Sequence, residues 1–313
     1  MSGSQSTYVE RAITITIRLG EGTFGDTGSN TVTLEGLRVL ATIEKTAPPG
    51  FGRAEIRVYG MTQSVMNQVS TLGVPFRMYR QGNIVTVQAG QKGTPLPVVW
   101  IGYILNAWQV LEGAPDTYFQ IVSNAGVLEA MVPGAPLSFP GPIDVASVMA
   151  GLATRMGRVF VNDGVTAKLS GGYFPGTAMA QAIAIARAAG VEMEPGGGPG
   201  DTLTIWPKDR TRIGVVPLIS ANTGMIGYPQ YRDNAMAFRC LFNPNIVRGG
   251  QILMDSSLFP SATSSDQSPE AVLRRGGPNG YWYVNSPFIL NLSAQVPNGP
   301  WFNECTCSRA LRP

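Results

Sequence analysis

The sequence predicts a mainly β chain interrupted by a small α+β module, with an all-β segment over residues 1–138, the module over 139–211 and a second all-β segment over 212–313. Three observations predict it. Apolar and polar residues alternate in short runs through the first segment. Helical spacing replaces alternation in two stretches of the middle, and alternation returns after Pro207.

In the first segment Ile13, Ile15, Ile17 and Leu19 alternate with Thr14, Thr16 and Arg18, the period of a strand with one buried face. The pattern recurs at Val32 and Leu34, at Leu37, Val39, Ala41 and Ile43, and at Ile56 and Val58, each run bounded by turn residues. Thr62 is placed to cap a short helix with apolar positions Val65, Met66, Val69 and Leu72, stopped by Gly73 and Pro75. Strands over 84–89, 98–110 and 118–122 complete the segment, and the Pro- and Gly-rich stretch 133–142 reads as a linker.

In the module Val145, Val148, Met149, Leu152 and Met156 follow helical spacing after Asp144, a capping residue, and stop at Gly157. Runs 158–162 and 165–170 flank Asp163-Gly164, the dipeptide of a tight hairpin. An Ala-rich helix over 177–189 ends at Gly190, and strands 191–194 and 202–206 follow, joined by a Gly- and Pro-rich turn over 195–200. This order places both helices on one face of a small sheet. The last segment reads as strands over 215–219, 235–242, 251–256, 281–284, 288–293 and 301–308, with a long polar loop between 257 and 280. No fixed-period repeat is present.

At 313 residues and 44% hydrophobic content the chain can bury a large core, while charges occupy only 14% of positions against roughly 25% in ordinary soluble domains. Much of the surface is therefore expected to meet other subunits; the alternative is a monomer with an uncharged polar surface. A net charge of +3 without any Lys/Arg block argues against an electrostatic grip on nucleic acid or anionic lipid. Residues 1–10 lack a secretory pattern and no run approaches ~18 apolar residues, so soluble synthesis in the cytoplasm is expected. Cys240, Cys305 and Cys307 are odd in number and read as buried small side chains, not as a disulfide framework.

The chain contains no histidine, which removes Ser-His-Asp and Cys-His arrangements and weakens any zinc site. Gly20-Glu21-Gly22-Thr23-Phe24-Gly25 matches a phosphate-covering glycine pattern, but a turn and a strand follow it where a dinucleotide fold needs a helix. Neither of the catalytic motifs of a kinase is present, so this is a hairpin. Residues 194–201 lack the Lys-Ser/Thr pair of a P-loop and read as a hairpin loop. Glu192 and Glu194 share one strand face, as a solvated sheet face or, alternatively, as a carboxylate pair for glycoside cleavage. The tryptophans are scattered over many strands and read as packing residues. No catalytic, cofactor-binding or metal-ligating residue is assigned.

Several motifs carry a resemblance. Val216-Pro217-Leu218-Ile219-Ser220-Ala221-Asn222-Thr223-Gly224-Met225-Ile226-Gly227-Tyr228-Pro229 resembles the lead into the second barrel of phage tail hub proteins. Leu241-Phe242-Asn243-Pro244, continuing to Gly249-Gly250-Gln251, resembles another segment of that family, and Tyr281-Trp282-Tyr283-Val284 and Gly299-Pro300-Trp301-Phe302 resemble its closing strands. Leu34-Glu35-Gly36-Leu37-Arg38, Ile56-Arg57-Val58-Tyr59-Gly60-Met61-Thr62 and Met66-Asn67 are similar to its N-terminal part, and residues 144–157 and 174–190 to its two-helix insert. The chain thus resembles the baseplate hub proteins of contractile-tailed, Mu-like bacteriophages.

That resemblance implies two similar β-barrel domains, 1–138 and 212–313, around the 139–211 insert. It implies a homotrimer whose six barrels form a pseudo-sixfold ring, adapting the sixfold tail tube to the threefold spike around a channel for genome ejection. The implied partners are the spike protein below, the tail tube or a tube-initiator ring above, and other baseplate proteins, with DNA only in transit and no stable membrane binding. The implied place is the tail baseplate of the virion. Some relatives carry a fused cell-wall enzyme; no such domain is read here. Two alternatives are a carbohydrate- or receptor-binding β module of the virion and a cell-wall hydrolase using Glu192 and Glu194. Leu258, Phe259, Arg274 and Arg275 in the long loop are the expected partner contacts, the other reading being a disordered tip.

Overall fold

The computed structural model describes residues 10–25, 27–71, 82–196, 201–232, 235–257 and 279–309. The first segment supplies strands β1 (Arg11–Arg18), β2 (Thr31–Leu34), β3 (Val39–Lys45) and β4 (Arg53–Val58), helix α1 (Gln63–Val69), strands β5 (Ile84–Gln91), β6 (Val98–Val110) and β7 (Tyr118–Asn124), and helix α2 (Val127–Met131). Alternation does what it predicts: in β4, Ala54, Ile56 and Val58 are buried while Arg53, Glu55 and Arg57 are exposed. β1 pairs antiparallel with β2, so the glycine-rich stretch between them is a hairpin loop. Thr62 caps α1 by accepting from the Val65 N–H at 3.5 Å. The helix ends at Val69; Leu72 and Gly73 lie outside the described residues. Trp100 is fully buried, and its Nε1 donates to Ser123 Oγ at 3.0 Å. Gly102 makes room for both, since a Cβ there would sit 2.6 Å from that hydroxyl.

The middle segment holds β8 (Leu137–Phe139), β9 (Ile143–Asp144), α3 (Val145–Arg155), β10 (Val159–Asn162), β11 (Lys168–Leu169), β12 (Gly172–Phe174), α4 (Ala178–Ala189), β13 (Val191–Pro195) and β14 (Thr202–Pro207). Asp144 and Thr177 cap the two helices, accepting from the N–H groups of Ser147 and Ala180. The helices pack on each other and on the sheet β10-β14-β13, whose Met193, Leu203 and Ile205 join their apolar core.

Two expectations fail here. The Asp163-Gly164 turn forms, with the Asn162 side chain bonded to both the N–H and the C=O of Val165, but no hairpin follows. β10 pairs in parallel with β14, and β11 pairs with β9. Val165, Ala167 and Leu169 alternate because they face the helices, not because they ladder onto β10. The expected linker 133–142 is also drawn in. β8 pairs with β12, and fully buried Gln181 donates to the carbonyls of Ala135 and Gly176.

The last segment contributes β15 (Leu218–Ile219), β16 (Met225–Arg232), β17 (Ala235–Leu241), β18 (Gln251–Met254), β19 (Gly280–Ala294) and β20 (Trp301–Arg309). The strands expected over 281–284 and 288–293 are one long strand with a bulge between Val284 and Phe288. The strand expected over 215–219 shrinks to two residues, and β16 lies outside the alternating pattern because Gly227 and Pro229 interrupt it.

The two strand-rich segments do not keep to themselves. β19 pairs antiparallel with β3 from Phe288–Lys45 to Ala294–Val39, so both enter one thirteen-stranded sheet. Its main path runs β16-β17-β20-β19-β3-β4-β7-β6-β5-β1-β2, with β15 and β18 branching from β19, and the pairings among the described residues leave β16 and β2 as open ends. One apolar core follows it, from Ile15 and Ile56 in the first segment to Phe288, Leu292 and Cys307 in the last. The chain is therefore mainly β with a small α+β insert.

Candidate functional site

The last segment combines two bulged strands with exposed apolar side chains. β16 is bulged between Ile226 and Gln230, and β19 between Val284 and Phe288, with β17 and β20 running between them. Bulges bend a sheet. A cavity of about 440 Å³ lies there, with Ile226 and Tyr228 from one bulged strand, Pro287 and Ile289 from the other, and Ala237 and Thr306 between. Arg239 reaches Glu304 at 2.6 Å across the same strands and stacks on Phe302. Next to β18, Ile213 and Val215 are 77% and 68% exposed, and Leu218, Leu253 and Tyr281 fall in one row across three strands.

The expected contact residues Leu258, Phe259, Arg274 and Arg275 lie outside the described residues. Their segment leaves after Ser257 and returns at Asn279, whose Oδ1 accepts from the Ser256 N–H at 2.7 Å.

Glu192 and Glu194 do not form a solvated face. They share the β13 side that turns away from the helices and lies against the large sheet, so Glu194 is buried and takes Arg212 Nη1 at 2.7 Å. Glu192 is 4.0 Å from Arg248 Nη1. Arg212 also holds Asp163 at 3.2 Å. The Arg212 and Arg248 guanidiniums lie 5.3 and 4.9 Å from the ring of Trp206, which is fully buried and donates to Tyr283 Oη at 3.1 Å. Arg248 Nη2 donates to the Met193 carbonyl. Gly249 lets the indole in: its φ is 79° and a Cβ would stand 2.5 Å from the ring.

Lys45 is buried beside this junction. Burial, foremost, lowers its pKa to about 8; Glu194 opposes this, and Arg212 and Arg248 add to it. Residue patterning alone does not find this cluster. Its one sequence signal is Arg248-Gly249-Gly250, a cation beside a backbone bare enough for close approach.

A second buried pair joins the module to the first segment. Arg158 meets Glu129 on α2 through Nε at 3.1 Å and Nη2 at 2.8 Å, and Tyr103 on β6 donates to the same carboxylate at 3.3 Å. Burial first, and Glu129 second, push the Tyr103 hydroxyl up to about 12. Asp201 stands 3.6 Å from Arg158.

Trp100, Trp206 and Trp282 are buried packing residues, Trp301 is partly buried, and Trp108 is the most exposed. Cys240, Cys305 and Cys307 are buried, unpaired and on the core face of β17 and β20. Burial pushes all three thiols up, Cys240 to about 12, which suppresses thiolate chemistry. No helix among the described residues is long and apolar enough to cross a membrane.

Known structures share this architecture from end to end. A tail protein from Neisseria meningitidis MC58 superposes with a TM-score of 0.60 over 95% of this chain and 96% of its own, at 9% identity. The 43 kDa tail protein of prophage MuSo2 from Shewanella oneidensis gives 0.55, covering 97% of each chain at 8% identity. A type VI secretion component of E. coli, described as similar to the T4 tail proteins gp27 and gp5, gives 0.53 over 88% of this chain and 76% of its own at 10% identity. No curated protein matches the sequence. The family model for the baseplate hub gp41 matches residues 12–266, most of the chain, so this protein belongs to the baseplate hub gp41 family of phage tail structural proteins.

Proposed function

We propose that the chain is a non-enzymatic hub subunit that trimerises into a pseudo-sixfold ring, adapts the sixfold tail tube above to the threefold spike below, and leaves a channel for genome ejection. The observation that carries this is family membership over residues 12–266. In this reading residues 1–138 and 212–313 each act as a barrel-like β domain around the 139–211 insert, and three chains supply six such units. A ring of this kind closes by heterologous contacts, one surface meeting a different surface on the next copy.

The exposed apolar residues Ile213, Val215, Leu218 and Tyr281 support a surface that partners cover. Leu258, Phe259, Arg274 and Arg275 are further proposed contacts. The partners are the spike, the tube or a tube-initiator ring, and other baseplate proteins. Glu194 is engaged by Arg212 inside a packed junction, which supports a structural use of the acidic pair. A net charge of +3 suits DNA in transit better than DNA held. The working location is the virion tail, after synthesis in the host cytoplasm.

Native mass measurement tests the reading. The expected mass is three times the 33.3 kDa of one chain. A single-chain mass at high concentration, with tube and spike proteins supplied, would overturn it.

A further inference from the structure

We infer that the α+β module is a strut fastened to the sheet by two buried charge latches, and that it undocks as one body while the sheet stays intact. This stands apart from the ring proposed above and concerns how the chain is braced.

The module has its own apolar core, built from Val145, Met149, Leu152, Ile185 and Leu203 and distinct from the core of the large sheet. Phe51, Ala130 and Leu137, only partly buried, are what the first segment adds to it. Among the described residues none of its strands pairs with the large sheet, and the two strand-rich segments are tied to each other through β3 and β19 without it. Undocking therefore breaks no ladder of the large sheet.

Residues 135–139 are held to the module by the β8–β12 pairing and Gln181, and α2 packs on α4; against the large sheet the fastenings are polar, the Trp206–Tyr283 hydrogen bond and buried charge. One latch joins Arg158 to Glu129 on the first segment, with 2% and 8% of their side chains exposed. The other sets Arg212 and Arg248 of the last segment against Glu194, Asp163 and Trp206 of the module. A buried ion left without its partner is strongly unfavourable, so each latch is made or broken as a whole. Among the described residues the first latch also leaves Arg158 Nη1 and Glu129 Oε2 buried without a hydrogen-bond partner, and a partly satisfied polar contact holds less firmly than an apolar seam. A unit with its own core, no shared ladder and polar fastenings is the piece of a fold that opens below global unfolding.

Oxidative footprinting read residue by residue tests this on the full chain. Trp206 and Tyr283 report the junction, Trp100 the sheet core, and Met149 the module core. Along a urea series on the parent protein, Trp206 and Tyr283 are expected to become reactive at a lower concentration than Trp100 and Met149. Coincident midpoints would overturn the proposal. Without urea, the paired substitution Glu129→Gln with Glu194→Gln is expected to raise Trp206 labelling by about tenfold or more, with Trp100 and Met149 still protected. Unchanged Trp206 labelling in a folded variant, or Trp206 rising only together with Trp100, also overturns it. Should that variant not fold, the urea series on the parent decides.

Discussion

Replacing Lys45 with Met removes a cation that the fold holds at a cost, and the cost has a pH signature. The ammonium lies beside the module junction with its pKa lowered from 10.5 to about 8, by burial above all. At about 1.4 kcal/mol per pH unit this corresponds to roughly 3 kcal/mol against the folded state below pH 8. Between about 8 and 10.5 the unfolded chain keeps a proton that the folded chain has released, so this group makes stability rise with pH across that window. The buried thiols act in the opposite sense. Cys240, Cys305 and Cys307 are all raised above 9.0, so at higher pH the unfolded chain sheds protons that the folded chain retains. The parent's own pH profile therefore mixes the two effects, and the informative quantity is the difference between Lys45→Met and the parent, in which the thiols cancel. Urea unfolding near pH 7 and near pH 9.5 measures it. The stability of the variant relative to the parent is expected to fall by about 2 kcal/mol between those conditions. An equal difference at both would refute the buried, charged lysine.

Two further substitutions test the sheet and the junction. Phe288 is fully buried on β19 between Lys45 on β3 and Cys305 on β20, so Phe288→Ala is expected to cost about 3–5 kcal/mol. Urea unfolding followed at Trp100 and at Trp282 should shift together, and separate midpoints would disprove the shared core. Gly249→Ala places a methyl group 2.5 Å from the Trp206 ring at a φ of 79°, and about 1–3 kcal/mol should be lost from strain and displacement. Calorimetry checks this, and an unchanged melting temperature would contradict the tight Gly249–Trp206 approach.

Local pattern carried far in this chain, and its failures share a cause. β1, β3 and β4 were legible because one face meets core and the other does not, so alternation is written into the residues. The helix caps Thr62 and Asp144 were legible because capping is a contact over three residues. The Asp163-Gly164 hairpin misled because alternation reports which side a residue faces and is silent on which strand it bonds. The union of β3 with β19 joins residues more than two hundred positions apart, and no window on the sequence spans it. The junction escaped for the same reason: Lys45, Glu194, Arg212 and Arg248 come from four separate stretches. Glu192 and Glu194 in isolation resemble a solvated face, because burial of the second depends on an arginine eighteen residues later.

That misplacement bears on assembly. The chain carries charge at only 14% of its positions, and Lys45, Glu129, Arg158, Glu194 and Arg248 are spent inside, at joints between its own segments. The outer surface is thus poorer in charge than the composition suggests, while Ile213, Val215 and Tyr281 stand exposed on it. Charge on a surface keeps copies apart, and large exposed apolar side chains gain by being covered. A chain that fastens its own parts with ions has those polar contacts satisfied before it meets a neighbour, and the exposed apolar side chains are what gains most from being covered.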